Sequence, residues 1–345
     1  MRTAIIGCGA MGNSMGAYLA KNGAPVDMIV PRAEYVDAMR RDGAKCIGAA
    51  EFAVPVNAYT IDDMEGFYDL IFLFTKQTAN AELLPKVVPH LQETSMVCTL
   101  QNGVPEPTVA EFVGKERTIG GNAYWAATIV SPGVTDLTKP IEKFEYLFEI
   151  GEISGKATKR IQKVAELLRH MGPVKITDSL MASRWGKLTI NACMSGMSTV
   201  CGSPFGVIFS TPKSLACLSY IGREVKACCE ADGYVLPLLL GKYRADSLGF
   251  DNKATYDESQ KLFLEMFKGS DASKASMLQD IEKGKLTEIS LINGYVCKTG
   301  DRLGIDTPFN DKVVEVVSRI EHGEIPYSMD NLDYFGPEMF EYLIV

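Results

Sequence analysis

The first 175 residues alternate short apolar runs with longer amphipathic stretches. The runs predict strands at residues 4–6, 26–30, 70–74, 96–100 and 118–122, and an antiparallel stretch around residues 144–150. The first four runs are almost continuously apolar, as in parallel strands covered on both faces. Apolar positions at helical spacing predict a helix over residues 11–21. This alternation predicts right-handed βαβ units and therefore an α/β fold.

The pattern changes after residue 178, where alternation of period two almost disappears. Long helical windows follow at residues 179–200, 212–232, 255–267 and 287–298, and the polar segment 242–274 predicts an excursion from the helical core. We therefore predict a sheet-containing domain over residues 1–176 and an all-helical domain over residues 177–326. Residues 327–345 form a tail of alternating acidic and aromatic residues. The tail could pack on the body of the protein or on a second copy in a homodimer, and the sequence leaves both open.

Size and charge narrow the classes of protein that are compatible with the chain. A chain of 345 residues is longer than a single hydrophobic core usually supports, which agrees with two domains. The net charge of -8 is scattered along the chain, so no basic stripe is available for nucleic acid. We see no signal peptide, and the longest apolar runs, such as residues 234–240, are too short to span a bilayer. These features predict a cytoplasmic protein that binds neither nucleic acid nor membrane.

The cysteines and histidines do not suggest a metal centre. Nine cysteines occur without any CxxC pair, and the three histidines lie far apart in the sequence. We therefore expect no metal site, and we expect the cysteines to be reduced and mostly buried.

A glycine-rich segment directly follows the first predicted strand and opens the first predicted helix. It consists of Gly7, Cys8, Gly9, Ala10, Met11 and Gly12. In this context the first glycine permits a tight turn, the second lets a pyrophosphate approach the backbone, and the third allows close packing of helix on strand. Unpaired N–H groups at the start of the helix favour phosphate. These six residues predict a cofactor site in a Rossmann-type dinucleotide-binding domain.

The tip of the second predicted strand bears on the choice of cofactor. An acidic residue at this place binds the ribose hydroxyls of NAD, whereas an arginine accommodates the 2′-phosphate of NADP. The chain reads Val30-Pro31-Arg32, with no carboxylate at the tip, and Glu34 lies slightly beyond. Arg32 could also be an ordinary surface residue. We predict NADP.

The helical window 179–200 contains only two charged residues, Arg184 and Lys187. Lys187, Asn191 and Ser195 recur at intervals of four and form one polar stripe on an otherwise apolar helix. Because an ammonium group in apolar surroundings is costly unless it is paired, the stripe is expected to line a cavity. The alternative is a lysine that extends to solvent beside two hydrogen-bonded polar groups.

Three further segments place polar groups where chemistry is expected. Glu288 opens the last helical window and is the natural partner for Lys187, although the helix dipole alone would also favour a glutamate there. Lys76 and Asn102-Gly103 follow predicted parallel strands, and ligands of open α/β sheets bind outside these strand ends. A surface lysine and a plain turn are the alternatives for these two segments.

These motifs together resemble the ketopantoate reductase (2-dehydropantoate 2-reductase) family, in order from residue 1 to about 320. The specific parts are Trp185-x-Lys187-Leu188-x-x-Asn191 and the block from Ser276-Met277-Leu278-Gln279-Asp280-Ile281 to Thr287-Glu288-Ile289-x-x-Ile292-Asn293-Gly294. The less specific parts are the glycine-rich segment, Lys76 and Gln101-Asn102-Gly103.

The resemblance implies an NADPH-dependent reductase of a small 2-oxo acid, with its active site in a cleft between two domains. It implies that Lys187 is the catalytic acid and that Glu288 assists it. The residues implied to bind substrate are Asn102, Asn191, Ser195 and Ser276. It further implies that Lys76 and Asn102 lie where cofactor meets substrate, and that Arg32 neighbours the adenosine 2′-phosphate.

The chain departs from the family pattern at three positions. Ser195 and Phe205 stand where the family commonly has asparagine, and Pro31 displaces the usual arginine by one residue. These changes suit a less hydroxylated 2-oxo acid or another ketone. Two other hypotheses remain: a hydroxyacid or opine dehydrogenase, which would lack the block of residues 276–288 in this form, and a non-catalytic NADP-binding sensor.

Overall fold

A computed structural model describes residues 1–343, so the last two residues of the predicted tail lie outside the described residues. The chain divides into two compact units, the first of which comprises Met1–Leu180 and the second of which begins at Met181. The strand over residues 174–177 pairs within the main sheet of the first unit. The observed division therefore falls four residues beyond the predicted end of the first domain at residue 176.

The first unit contains twelve strands and five α-helices within the described residues. The strands are β1 Thr3–Ile6, β2 Asp27–Val30, β3 Ala44–Gly48, β4 Phe52–Val54, β5 Asn57–Thr60, β6 Tyr68–Leu73, β7 Leu91–Thr99, β8 Thr118–Ala123, β9 Ala127–Ser131, β10 Val134–Leu137, β11 Phe148–Glu152 and β12 Val174–Thr177. The helices are α1 Ala10–Lys21, α2 Ala33–Asp42, α3 Asn80–Val87, α4 Glu106–Val113 and α5 Lys159–Leu168.

Eight strands form the main sheet in the order β12-β11-β8-β7-β6-β1-β2-β5. The six strands from β8 to β5 are mutually parallel, and β11 joins β8 in antiparallel fashion. This is the strand order of the doubly wound dinucleotide-binding fold, extended by two strands. The predicted Rossmann-type α/β fold and the predicted antiparallel pairing are confirmed.

The central strands are buried on both faces because their side chains alternate between two cores. Ile5 and Phe72 belong to one core, whereas their neighbours Ala4 and Ile71 belong to the other. All four side chains are fully buried. This explains why the sequence of these strands is continuously apolar rather than alternating.

A second sheet of the first unit is absent from the sequence prediction. Its four strands run in the order β4-β3-β10-β9, so β3 pairs with a strand about ninety residues later. Asn13 of α1 connects to this sheet, since its Nδ2 donates to Thr135 Oγ1 at 2.8 Å and to the carbonyl of Gly133 at 3.1 Å. The small sheet thereby fixes the helix that follows the glycine-rich turn.

The second unit is helical within the described residues. Its helices are α6 Leu180–Ile190, which begins on the last residue of the first unit, α7 Gly196–Cys201, α8 Phe205–Ile208, α9 Pro212–Ala231, α10 Lys253–Met266, α11 Ser276–Glu282, α12 Asn293–Leu303 and α13 Pro308–Glu321. A π-helical segment, Asn191–Ser195, joins α6 to α7. The predicted all-helical architecture is confirmed, but α13 was not predicted. The predicted start of α12 at residue 287 is wrong by six residues.

The described part of the tail packs against the helices of the second unit. Asn331 donates from Nδ2 to the carbonyl of Val200 at 2.9 Å, and the hydroxyl of Tyr342 donates to the carbonyl of Asp251 at 2.8 Å. Residues 327–343 therefore belong to the second unit rather than to a separate extension. Among residues 1–343, no helix has the length and apolar character needed to cross a membrane.

Candidate active site

The glycine-rich turn joins β1 to α1, and its three glycines differ in their surroundings. Gly7 has φ of +95°, and a Cβ there would lie 2.5 Å from the backbone nitrogen of Thr75. A Cβ on Gly12 would lie 2.4 Å from the carbonyl oxygen of Gly7, so this glycine permits close packing of α1 on the turn. A Cβ on Gly9 would meet no described atom within 4 Å. The fold thus requires Gly7 and Gly12, whereas at Gly9 it leaves room beside the backbone.

The start of α1 is suited to a negatively charged group. Gly9 is its N-cap residue, no side chain caps the first N–H groups, and no acidic residue lies in the first turn. The helix dipole and the N–H groups at this end favour an anion. The open space at Gly9 and this helix terminus together fit the pyrophosphate of a dinucleotide, which agrees with the predicted roles of residues 7–12.

A buried glutamine joins the two strand ends that carry Lys76 and Asn102. The Nε2 of Gln101 donates to the carbonyl of Thr75 at 3.0 Å and to Asn80 Oδ1 at 2.8 Å, and the side chain of Gln77 donates to the carbonyl of Asn102. Lys76 and Asn102 are each partly exposed. The ends of β6 and β7 are therefore held beside the glycine-rich turn, since Gly7 abuts Thr75.

Arg32 lies at the N-cap of α2, two residues after the end of β2. Its guanidinium is 3.2 Å from the carboxylate of Glu34 and lies over the ring of Tyr35, 4.7 Å from the centroid. Both charged side chains are more than half exposed. Arg32 thus lies at the strand tip with its charge exposed to solvent, but the carboxylate of Glu34 lies beside it.

Lys187 lies on α6, the helix that the sequence predicted to be apolar apart from one polar stripe. Trp185 and Arg184 are fully buried, while Lys187 and Asn191 keep partly exposed surfaces. Lys187 and Asn191 are therefore the accessible part of the polar stripe, whereas Ser195 is buried with 8% of its surface exposed.

The surroundings of Lys187 favour its neutral form. Burial lowers the pKa of Lys187 from 10.5 to about 7, the positive charge of Arg184 lowers it as well, and the negative charge of Glu288 opposes both. The negative charge of Glu288 thus acts on the Lys187 amine, and the predicted roles of the two residues stay a prediction. An amine with a pKa near neutrality can hold or release a proton under physiological conditions.

The π-helical segment changes the geometry of the polar stripe. In an α-helix, residues four apart drift around the axis by about 40° per step. A π turn closes i→i+5 hydrogen bonds and holds more residues, so a step of four falls short of a full turn. Gly196 N–H donates to the carbonyl of Asn191, five residues earlier. The segment therefore turns Ser195 back towards the side of Lys187, which a plain α-helix would not do.

Glu288 does not open an α-helix, so the prediction of its local structure is wrong. It precedes a single 3₁₀ turn over Ile289–Leu291, and α12 begins only at Asn293. The hydroxyl of Thr287 accepts a hydrogen bond from the N–H of Ile289 at 3.1 Å, which stabilises a turn in place of a helical start. A first-turn glutamate favoured by an α-helix dipole is therefore excluded as the explanation of Glu288.

Aromatic packing connects the segment of Glu288 with the helix of Lys187. The rings of Trp185 and Tyr295 lie 5.6 Å apart between centroids, one on α6 and the other on α12. This contact keeps α12 beside α6, and Glu288 lies a few residues ahead of α12. The interaction between Lys187 and Glu288 thus follows from the packing of two helices.

Ser276 is the first residue of α11 and is exposed, while Phe205 is the first residue of α8. The segment leading to Ser276 is held by Phe205, whose N–H donates to the carbonyl of Ser273 at 3.0 Å. The ring of Phe205 also packs on Phe267, with 5.5 Å between centroids. The departure from the family pattern at Phe205 thus contributes an aromatic group beside the approach to Ser276.

Within the second unit, neighbouring helices and turns carry Lys187, Glu288, Asn191 and Ser195. Within the first unit, neighbouring strand ends carry the glycine-rich turn, Lys76 and Asn102. Sequence reasoning assigned no role to Arg184. Its place three residues before Lys187, on the same face of the helix, was the available signal. No group of three or more potential metal-binding side chains occurs in the described part of the chain.

Two family models match the chain over most of its length. The model described as Ketopantoate reductase PanE/ApbA matches residues 3–146, and the model of the C-terminal part of the same family matches residues 179–321. The chain belongs to the ketopantoate reductase family. Membership makes it an oxidoreductase, so the non-catalytic sensor is disfavoured.

Individual relatives and similar solved structures agree with this assignment. A 2-dehydropantoate 2-reductase of Archaeoglobus fulgidus is 26% identical over 324 residues, which cover 93% of this chain and 98% of the relative. The structure of a 2-dehydropantoate 2-reductase of Geobacter metallireducens is 28% identical with a TM-score of 0.77, covering 92% and 99% of the two chains. A D-mandelate dehydrogenase with NADH and anilino(oxo)acetate is 25% identical with a TM-score of 0.80, covering 94% and 99%.

Proposed function

We propose that this member of the ketopantoate reductase family reduces a small 2-oxo acid with NADPH, and that 2-dehydropantoate is its first candidate substrate. The observation that carries the proposal is the family match over residues 179–321, in which the contact of Trp185 with Tyr295 keeps the helix of Lys187 beside α12, a few residues after Glu288. The names of the relatives that match more than 90% of the chain support the substrate.

The first unit would hold the dinucleotide, which supplies a hydride when bound. Gly9 leaves its backbone open to the pyrophosphate, and the N-terminus of α1 offers N–H groups to it. Arg32 would pair with the 2′-phosphate, and that pairing would replace its exposed contact with Glu34. Because the carboxylate of Glu34 competes with the 2′-phosphate for Arg32, the preference for NADPH over NADH needs to be measured directly.

Lys187 would act as the general acid of the reduction. As a hydride forms the new C–H bond at the carbonyl carbon, the carbonyl electron pair moves to oxygen, which then takes a proton from Lys187 Nζ. The ammonium group also stabilises the developing negative charge before the proton moves. The neutral amine regains its proton from solvent, which a pKa of about 7 allows at neutral pH.

The polar groups around Lys187 would position it and the substrate. Glu288 opposes the lowering of the Lys187 pKa and so increases the fraction of Lys187 that is charged. Asn191, Ser195 and Ser276 would orient the carboxylate and hydroxyl groups of the substrate. Fixed orientation supplies a large part of the rate enhancement in reactions of this type.

A second substrate class is favoured by the aromatic group at Phe205. Phe205 packs on Phe267 next to the segment that carries Ser276, and a D-mandelate dehydrogenase is among the similar structures. A 2-oxo acid with a less hydroxylated or aromatic side chain would suit these surroundings better than one that needs several amide donors.

A panel of 2-oxo acids tests the proposal. The purified protein is mixed with NADPH, and in parallel with NADH, and the loss of the reduced nicotinamide absorbance is recorded with 2-dehydropantoate, with the 2-oxo acid of mandelate and with simple aliphatic 2-oxo acids. We expect turnover with at least one of them and a higher kcat/KM for NADPH. Absence of turnover with every acid and both cofactors would remove the proposal.

A further inference from the structure

Three buried polar side chains form a chain of hydrogen bonds that ends on the π-helical segment. Asn293 Nδ2 donates to the carbonyl of Ala192 at 3.1 Å and to Asn310 Oδ1 at 3.0 Å. Asn310 Nδ2 in turn donates to Glu224 Oε2 at 2.7 Å. Asn293 and Asn310 are fully buried, and Glu224 is 8% exposed. The chain therefore connects α9, α13 and α12 to the segment that carries Asn191 and Ser195.

The contacts at Glu224 give the direction of these hydrogen bonds. Burial raises the pKa of Glu224 to about 8, and its Oε2 accepts from the NH₂ group of Asn310, which leaves the oxygen of Asn310 to face Asn293. Glu224 also accepts the N–H groups of Phe309 and Asn310 at 2.8 and 2.9 Å, which keeps it in place at the start of α13. Asn293 must then present its NH₂ group to Asn310 and to Ala192, and its own Oδ1 accepts no hydrogen bond from the described residues.

A buried amide that leaves its oxygen unpaired needs a reason, because such groups are costly. The π-helical segment supplies one. Two side-chain hydrogen bonds flank this segment. The hydroxyl of Thr189 donates to the carbonyl of Trp185 and the hydroxyl of Thr199 donates to the carbonyl of Ser195, both at 2.8 Å. Between these two hydrogen bonds lies the carbonyl of Ala192, which accepts from Asn293 of α12.

Asn293 also has a fixed relation to Glu288. It is the first residue of α12, and only Ile292 separates it from the turn that follows Glu288. At Gly196 a Cβ would lie 3.1 Å from Asn293 Oδ1, so the glycine lets α12 approach the end of the π-helical segment. One side chain thus joins the segment next to Lys187 to the turn that presents Glu288.

We infer that Asn293 is a positioning residue that holds the turn of Glu288 in register with the helix of Lys187 and Asn191. Asn293 does this through its hydrogen bond to Ala192, and Glu224 and Asn310 set its orientation. For catalysis the inference rests on the proposed reductase function. The structural part of the inference does not depend on that function, because the proximity of Glu288 to Lys187 can be measured without turnover.

The test compares Asn293→Ala with Asn331→Ala, a matched control. Asn331 is also a buried asparagine of the second unit, and its Nδ2 also donates to a helical carbonyl, that of Val200 at 2.9 Å, but near the C-terminal end of α7. The variant Asn293→Leu has a similar size and shape but no donor and no charge, so it serves if alanine prevents folding. For each variant we measure the Tm, kcat and the pKa of Lys187, the last from the pH dependence of labelling by an amine-specific reagent followed by mass spectrometry.

We expect both alanine variants to lower the Tm, but only the Asn293 variants to change the site. Their kcat should fall by about tenfold or more, as small misplacements of catalytic groups do. The pKa of Lys187 should fall by roughly one unit as Glu288 moves away. Equal kcat and equal labelling pKa values in the Asn293 and Asn331 variants would overturn the inference. If the wild-type protein reduces no 2-oxo acid, the proposed function fails, and the labelling result still decides the role of Asn293.

Discussion

The coupling of Glu288 to Lys187 predicts how the pH dependence of the reaction responds to one substitution. Lys187 has a pKa of about 7, so its protonated fraction is about one half at pH 7 and about one tenth at pH 8. An acid catalyst works only in its protonated form, and kcat/KM for reduction should therefore fall about fivefold between pH 7 and 8 and about tenfold for each further unit. The same group would act as a base in the oxidation, whose rate should rise over this interval.

Replacing Glu288 with glutamine removes the negative charge that raises the pKa of Lys187, while the lowering influences of burial and Arg184 remain. An opposite charge at close range shifts a pKa by roughly one to three units, and one unit corresponds to about 1.4 kcal/mol. The descending limb of the profile should therefore move to lower pH by about one unit or more. At pH 7 the protonated fraction should fall from about one half to about one tenth or less.

The assay is the pH profile of kcat/KM for ketone reduction in wild type, Glu288→Gln and Glu315→Gln. Glu315 is a control of equal charge: it pairs with Lys312 on α13, and it is not among the groups that shift Lys187. We expect only the Glu288 variant to move its descending limb, and we expect most of its lost activity to return at low pH. An unchanged limb, or a limb moved to higher pH, would refute the reasoning.

Three further predictions concern the cofactor site. Gly9→Ala should weaken NADPH binding by about tenfold or more, because the new methyl group occupies the space proposed for pyrophosphate. The Tm should not fall, because the methyl group meets no described protein atom within 4 Å. Fluorescence titration measures the binding. Gly12→Ala should lower the Tm, because its Cβ would lie 2.4 Å from the carbonyl oxygen of Gly7, and thermal unfolding checks this. Arg32→Ala should raise KM for NADPH by about tenfold and leave KM for NADH nearly unchanged, since a hydrogen bond to a charged group contributes roughly 1.5–3 kcal/mol; equal effects on both cofactors would contradict the assignment of Arg32.

The sheet of the first unit could be predicted because its strands are short continuous apolar runs that are buried on both faces. The second sheet could not be predicted in this way. Its strands β4 and β9 are half exposed, and β3 finds its partner β10 about ninety residues later. Local periodicity contains no information on such a pairing, and the side chain that holds this sheet to α1, Asn13, looks like an ordinary helix residue in the sequence.

The site of the second unit was predictable in its residues but not in its backbone. A lysine in an apolar helix and a glutamate in a weakly charged segment indicated a pair, because an isolated buried charge is costly. The π-helical segment and the 3₁₀ turn after Glu288 both depend on hydrogen bonds from distant residues, such as that of Asn293 to Ala192. Propensity and spacing describe local structure only, so they placed Glu288 in an α-helix that begins six residues later.

Substitution of Lys187 tests the central claim most directly, namely that this amine delivers the proton in ketone reduction. Lys187→Ala should lower kcat by roughly 10²–10⁴-fold, the usual scale for a general acid, while the Kd for NADPH stays nearly unchanged. Lys187→Arg should restore little activity, because a guanidinium keeps the charge but does not release its proton at neutral pH. A kcat within a few-fold of wild type in Lys187→Ala would contradict the account.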